Sequence, residues 1–181
     1  MSIQLMDKAA VLAELAAHPA VVELTRPTSS SAAPERGTSD AEAWNPEWLT
    51  DAKFDRGELT LTVAAGAIRA AARAMQRAGY NFFEDLTAVD WLPSAPRFQL
   101  SYHLLSHGLK ERIRLRVLVD AEEAQVDSII PVWPSANFYE REVFDLFGIR
   151  FNDHPNMIRI LLPEEFKGHP LRKDFPVEGY R

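Results

Sequence analysis

Glu140, Arg141, Glu142 and Asp145 stand close together in the run Phe138-Tyr139-Glu140-Arg141-Glu142-Val143-Phe144-Asp145-Leu146-Phe147-Gly148. If that run is helical, Glu142 and Asp145 share a face. Paired carboxylates are what a glycosidase-type general acid and base require. The same run carries Phe138, Tyr139, Phe144 and Phe147, so its helix buries more than one side. Buried charges of opposite sign pair, because an unpaired one is costly to remove from water. Arg141 supplies such a partner, and nothing in the sequence sets a substrate between the carboxylates. Structural pairing is therefore the favoured reading, and a free-standing hydrolase using Glu140, Glu142 and Asp145 is its rival.

Metal and phosphate chemistry find less support. His103 and His107 are spaced as ligands on one helix would be, but His107 falls beside Gly108 in a hairpin turn. His154 and His169 each precede a proline, which holds the backbone extended at both. Their expected work is to orient turns through ring hydrogen bonds. A Glu-x-x-His pair is absent from the charged helix. The chain has no cysteine, which excludes disulfides, a thiol nucleophile, cysteine-ligated zinc and all-cysteine iron–sulfur ligation. Neither GxGxxG nor GxxxxGK[ST] occurs. No bound cofactor or metal is expected.

The elements that must position these residues follow from periodicity. Met6–Ala17 repeats apolar residues at helical spacing, and Ala20–Thr25 reads as a short strand. Pro27–Pro46, rich in Ser, Ala and Pro, reads as a flexible loop. Glu58–Val63 alternates as a half-buried strand. Ala64–Ala78 is the clearest helix, with Gly79 placed to end it. Its Arg69, Arg73 and Arg77 recur along one face, read as solvated, with a docking stripe as the alternative. Asn81–Trp91, Phe98–Leu105 and Arg112–Val119 read as strands, the last two joined by a hairpin. Val126–Trp133 is a short apolar element with Asp127 or Ser128 placed to cap a helix. The fold class expected is α/β of the α+β type: two layers, a mixed and mostly antiparallel sheet covered by helices on one side, and an extended C-terminal arm. Residues 1–57 form an N-terminal helix and loop, 58–148 the core with its charged helix, and 149–181 the arm.

The net charge of −6 is uneven. Residues 1–60 hold 5 basic and 10 acidic groups, while residues 141–181 hold 7 of each, so no basic nucleic-acid footprint exists. No apolar run is long enough for a bilayer span, and no signal peptide is read, which places the chain in the cytoplasm. The arm has no helical or strand period, yet Phe151, Ile158, Ile160, Leu161, Leu162, Phe166, Leu171 and Phe175 are too apolar to leave in water. Its own domain offers limited surface, so a partner chain is the expected host, and its prolines reduce the entropy lost on docking.

These pieces together resemble a known family. Glu140–Ile149, then His154-Pro155, Arg159-Ile160-Leu161 and Gly168-His169-Pro170-Leu171-Arg172-Lys173-Asp174-Phe175-Pro176 resemble the 30 kDa subunit family, the C-subunit, of proton-translocating NADH:quinone oxidoreductase (respiratory complex I). Leu86–Trp91, Arg97-Phe98 with Tyr102–Leu105, and Trp133–Asn137 fit in the same order, so the likeness covers roughly residues 58–178. It implies a structural subunit of the peripheral arm on the cytoplasmic face of the bacterial plasma membrane. NADH, FMN, iron–sulfur clusters and quinone would then be bound by other subunits. The chief partner implied is the hydrogenase-large-subunit-like chain at the quinone site. An equivalent subunit of a membrane-bound [NiFe]-hydrogenase-type complex is the second reading. Glu140, Arg141, Glu142, Asp145, His154, Arg159, His169, Arg172, Lys173 and Asp174 are the structural and partner-docking residues expected, with no catalytic residue among them. Two departures stand out: Phe138 replaces the usual Trp at what should be an aromatic packing site, and Ile158 replaces a basic residue before Arg159, removing an expected inter-subunit ion pair.

Overall fold

The computed structural model describes residues 8–14, 16–25, 45–122 and 124–178. A five-stranded sheet takes the order β1-β2-β5-β4-β3, built from β1 (Leu49–Asp55), β2 (Glu58–Val63), β3 (Phe82–Asp90), β4 (Phe98–Ser106) and β5 (Glu111–Val119). β2 and β5 run parallel and the other neighbours antiparallel, the mixed, mostly antiparallel sheet that the patterning predicts. Alternation sets the register. Leu59, Leu61 and Val63 stand opposite Ile113, Leu115 and Val117, which stand opposite Leu104, Tyr102 and Leu100. A slip of one residue would turn the whole apolar set to the other face.

Helices cover that face. Helix α3 (Ile68–Arg77) buries Ile68, Ala71, Ala72 and Met75. Helix α4 (Ala136–Phe147) reaches β3 through Phe83, whose ring meets Tyr139 edge-on at 5.4 Å and stacks on Trp133 at 6.0 Å. The opposite face of the sheet carries Arg112, Arg114 and Arg116, bound to Glu84, Glu58 and Asp51 at 2.8, 2.7 and 3.0 Å. A face so charged cannot receive an apolar layer, which is why the helices lie on one side. Gly79 ends α3 as expected. At φ +100° it lets its own N–H reach Gln76 O and the Tyr80 N–H reach Met75 O, at 3.1 and 3.0 Å.

Four local readings change. Helix α1 (Lys8–Glu14) matches part of the predicted Met6–Ala17 helix, but Ala20–Thr25 lies in a second helix, α2 (Pro19–Thr25), and not in a strand. Pro19 opens α2, where its fixed φ suits the helix, and His18 Nδ1 accepts the Ala20 N–H at 3.3 Å. The buried positions Ala20, Val21 and Leu24 have helical spacing. Strand β1 has no counterpart in the sequence reading. Only Leu49 and Ala52 are buried in it and a bulge interrupts its pairing, so its alternation is too weak to read. The boundary drawn after residue 57 thus falls in the β1–β2 turn.

Val126–Trp133 opens with a strand, β6 (Gln125–Asp127), which pairs in parallel with β7 (Arg150–Asn152). Asp127 accepts from Asn152 Nδ2 at 3.1 Å and Ser128 Oγ from Ile130 N at 3.2 Å, so neither caps a helix. The α3 arginines form a solvated face only in part, with Arg77 exposed and Arg69 buried. Arg69 is 5% exposed and donates to Ser128 O at 2.8 Å and Asp153 at 3.0 Å, while Arg77 holds Glu23 at 2.6 Å. The loop read over Pro27–Pro46 lies outside the described residues except for its last two.

Candidate functional site: the α4–arm junction

Gly148 decides the geometry of the junction. It sits at φ +72° and its N–H closes α4 on Phe144 O at 2.8 Å. A Cβ there would also meet the His169 ring at 2.6 Å and Arg172 Nη2 at 2.7 Å. Left-handed backbone and close approach both require glycine. The chain then turns back and wraps the C-terminal end of its own α4.

Asp145 is the clamp. Its carboxylate has no solvent exposure. One oxygen accepts the amides of Ile160, Leu161 and Leu162 at 3.1, 2.8 and 2.9 Å, and the other accepts Arg159 Nη1 at 2.6 Å. Burial alone would raise this carboxyl, but the three arm amides and the Arg159 guanidinium overcome it and hold it below the usual carboxylate range. Arg159 also donates to Phe166 O and Gly168 O at 3.0 and 3.1 Å, closing the arm on itself. His169 donates from Nδ1 to Asp145 O at 2.9 Å, and the Leu171 N–H reaches Leu146 O at 3.1 Å. Arg172 donates to Phe147 O. The helix carbonyls left open at the end of α4 are thus satisfied by the arm.

The charged helix pairs differently from the expectation. Among the described residues Arg141 binds no carboxylate; it donates to Ile158 O and Arg159 O at 3.1 and 3.0 Å. Glu142 is exposed and makes no hydrogen bond or ion pair among the described residues. Glu140 is fully buried. One of its oxygens accepts the Ile129 N–H at 2.7 Å, and Oε2 lies 4.0 Å from His154 Nε2. Burial raises the Glu140 carboxyl to about 7, against the Ile129 amide, the Ser128 hydroxyl and Arg69. Burial likewise lowers His154 and His169, leaving both rings neutral near pH 7. Lys173 and Asp174 extend the fastening to the other end of the sheet. The Lys173 N–H reaches Asp90 at 2.9 Å, and Asp174 takes Arg97 at 2.7 Å.

Ten residues expected to be structural therefore divide. Nine are drawn into the interior or the arm contacts, and Glu142 is not. The sequence reading missed Asp90 and Arg97 as members. Arg97 bridges buried Asp90 at 2.8 Å and arm residue Asp174 at 2.7 Å, and it holds the Asp90 carboxyl far below its ordinary range despite burial. The signal available was an Asp and an Arg flanking a proline-rich turn, which is common. Phe138, expected at an aromatic packing site, is 60% exposed and stacks on no ring among the described residues.

The arrangement offers no catalytic pair. Glu140 and Asp145 are turned inward onto amides and a guanidinium, with Glu142 outside. A cleft of about 700 Å³ lies instead beyond the β4–β5 hairpin, lined by Arg56, His107, Lys110 and Arg112 among others, and contains none of these carboxylates. His103 and His107 do not converge: His103 sits in β4, and the His107 ring meets Asn81 and Phe82. Among the described residues no group of three or more His, Cys, Asp or Glu is placed to hold a metal ion. No helix among them is long and apolar enough to cross a membrane.

Residues 61–181, with α3, α4 and the whole arm included, match the family model described as respiratory-chain NADH dehydrogenase, 30 Kd subunit. The chain belongs to that family. The NADH-quinone oxidoreductase C-subunit of Citrifermentans bemidjiense is 43% identical over 72% of this chain and 82% of its own length. The C-subunit of Rhodobacter capsulatus is 46% identical over 75% of this chain and 69% of its own. Among solved structures, a trypsin-resistant fragment (1–134) of Nqo5 aligns with a TM-score of 0.53 at 34% identity, covering 55% of this chain and 83% of the fragment. A chain of the membrane-bound sulfane sulfur reductase, an archaeal respiratory membrane complex, aligns with a TM-score of 0.62 at 30% identity, over 70% of this chain and 76% of that one. In this 30 kDa family member, pieces distant in sequence meet in space: the charged helix, the His-Pro turn and the Arg-Lys-Asp run form one junction.

Proposed function

We propose that this chain is a cofactor-free structural and assembly subunit in the peripheral arm of an NADH-quinone oxidoreductase. It supports electron transfer from NADH to quinone, coupled to proton translocation, and has no active site of its own. NADH, FMN, iron–sulfur clusters and quinone are bound by other subunits. One observation supports this reading above the rest. The arm is fastened by polar contacts aimed mostly at backbone, yet Ile158, Leu161, Leu171 and Val177 stay 46, 61, 51 and 105% exposed. Phe138 on α4 adds an aromatic ring to that surface. Apolar groups held in place and left uncovered mark an interaction face. Preorganisation by the clamp lowers the ordering cost when a partner covers them. The partner is a neighbouring peripheral subunit, chiefly the hydrogenase-large-subunit-like chain at the quinone site, and the assembly lies on the cytoplasmic face of the membrane.

The test is a doubly substituted chain, Ile158→Asp with Leu161→Asp, expressed in place of the natural one. Native gels should show a large loss of assembled complex while circular dichroism of the purified chain is unchanged. Normal complex levels would refute the docking role of the arm. The resemblance carried by the sequence leaves a second reading, an equivalent subunit in a membrane-bound [NiFe]-hydrogenase-type assembly. Co-purification of a flavin-binding NADH subunit would decide for the first. The free-standing hydrolase has no such support, because Glu140 and Asp145 are both engaged inside the fold.

A further inference from the structure

Glu140 stands apart from the Asp145 clamp. Its side chain is fully buried, and Oε2 has no hydrogen-bond partner. One ring beside it is His154, whose Nδ1 accepts the Asn156 N–H at 3.0 Å. The ring proton therefore sits on Nε2, 3.4 Å from Asn137 O and 4.0 Å from Glu140 Oε2. Tyr102 Oη, on the neighbouring sheet face, is also buried without a partner, and its phenol feels the charges of Glu140 and Asp127. The cation on this side, Arg69 of α3, is committed to Ser128 O and Asp153. Around Glu140 are thus Arg69 from α3 with its partner Asp153, the Ser128 hydroxyl, Tyr102 from β4, Asp127 from β6, His154 from the segment after β7, and Arg141 from α4 itself. None neutralises it at hydrogen-bond distance. A buried carboxyl in such a place is cheaper to keep with its proton than without.

We propose that Glu140 is a proton-uptake site, and that its proton latches the Ile129 turn and the His154-Pro155 root of the arm onto α4. With the proton bound, the carboxyl is neutral and suits a closed interior. When the O–H bond breaks, the proton passes to solvent and the carboxylate requires water. The turn at Ile129 and the arm root, which enclose it, must open to admit that water. The Asp145 clamp has its own partners and stays shut. This role goes beyond assembly into a complex and does not depend on it.

The direction follows from proton linkage. The closed form binds the proton more tightly than the open one, so closing is favoured at low pH and weakens as pH rises toward 7 and above. Taking 4.5 for the open carboxyl and about 7 for the closed one, the opening equilibrium rises about tenfold from roughly pH 6 to pH 8. Burial also lowers His154, so its ring competes for a proton less than a free imidazole would.

The full chain is studied by amide hydrogen exchange, corrected for intrinsic rates, and by carbon-13 titration of its glutamate carboxyls. Protection at Ile129, Ile130 and Asn156 should fall about tenfold between roughly pH 6 and 8. Protection at Leu161 and Leu162, held by Asp145, should not. Glu140→Gln should remove the pH dependence, since its amide cannot ionise. The Glu140 carboxyl signal of the unaltered chain should titrate near neutrality. A midpoint below about 5 would overturn the proposal without any variant being needed. So would an identical pH dependence in Glu140→Gln.

Discussion

Replacing Asp145 with Asn separates the arm from the domain by a single atom. The substitution keeps the volume of the side chain but removes its charge and turns one acceptor oxygen into an NH2 donor. In the wild-type chain one oxygen accepts three arm amides and the other accepts Arg159. Hydrogen bonds to a charged group are worth roughly 1.5–3 kcal/mol each, and breaking a buried pair costs about 3–5 kcal/mol. These contacts act as a unit and do not add, so about 3–5 kcal/mol is the expected loss in arm seating. Since every 1.4 kcal/mol is a factor of ten, amide protection at Ile160–Leu162 should fall by about a hundredfold or more. Amides of β4 and β5 should change far less, because the sheet core lies apart from the clamp. The Asp145 carboxyl is lowered in the folded chain, so its stabilisation is present above the ordinary Asp range and is lost as pH falls through the folded value. In acid, wild-type arm protection should therefore converge on that of Asp145→Asn. If the variant keeps wild-type protection at Ile160–Leu162 near neutral pH, the carboxylate is not what holds the arm.

Gly148→Ala should destabilise the chain by more than about 2 kcal/mol in urea titration, because it adds a Cβ both at positive φ and within 2.6 Å of the His169 ring. A smaller effect would mean that the arm moves aside at little cost. Arg97→Ala leaves buried Asp90 without its guanidinium and should cost about 3–5 kcal/mol. Its second effect is faster exchange at the Lys173 N–H, since Asp90 accepts that amide; unchanged exchange there would disconnect the arm end from the β3–β4 turn.

Much of the fold is legible because local chemistry and burial agree. Alternation in Glu58–Val63, Phe98–Leu105 and Arg112–Val119 matches β2, β4 and β5, since each strand turns its large apolar residues to the helix-covered face and mostly polar residues to the other. Gly79 ends its helix where the sequence puts it, and Gly148 closes α4 in the same way, because a left-handed residue after a helix favours glycine wherever it occurs. The family likeness is also carried by sequence alone. What fails to read are elements defined by distant partners. β6 has three residues and exists only because β7 lies beside it. β1 is an edge strand with two inward residues, and α2 is too short for its period to outweigh two adjacent valines.

Most residues of the junction stand out in the sequence, but their partners do not. The sequence determined that many charges would be buried near one helix, that the arm would be apolar and aperiodic, and that no cysteine chemistry was open to the chain. Only the tertiary structure decided that Arg141 holds carbonyls rather than carboxylates, that Asp145 gathers three amides of the arm, and that Glu140 is left with one oxygen unpaired. The arm does not rely on a partner for its polar contacts. Its polar groups find their partners on α4 and β3 of the same chain, while several of its apolar groups stay uncovered. The physical reason is that composition fixes how much charge must be satisfied, whereas the left-handed turn at Gly148 fixes the direction of the returning chain. That direction selects which donor meets which acceptor.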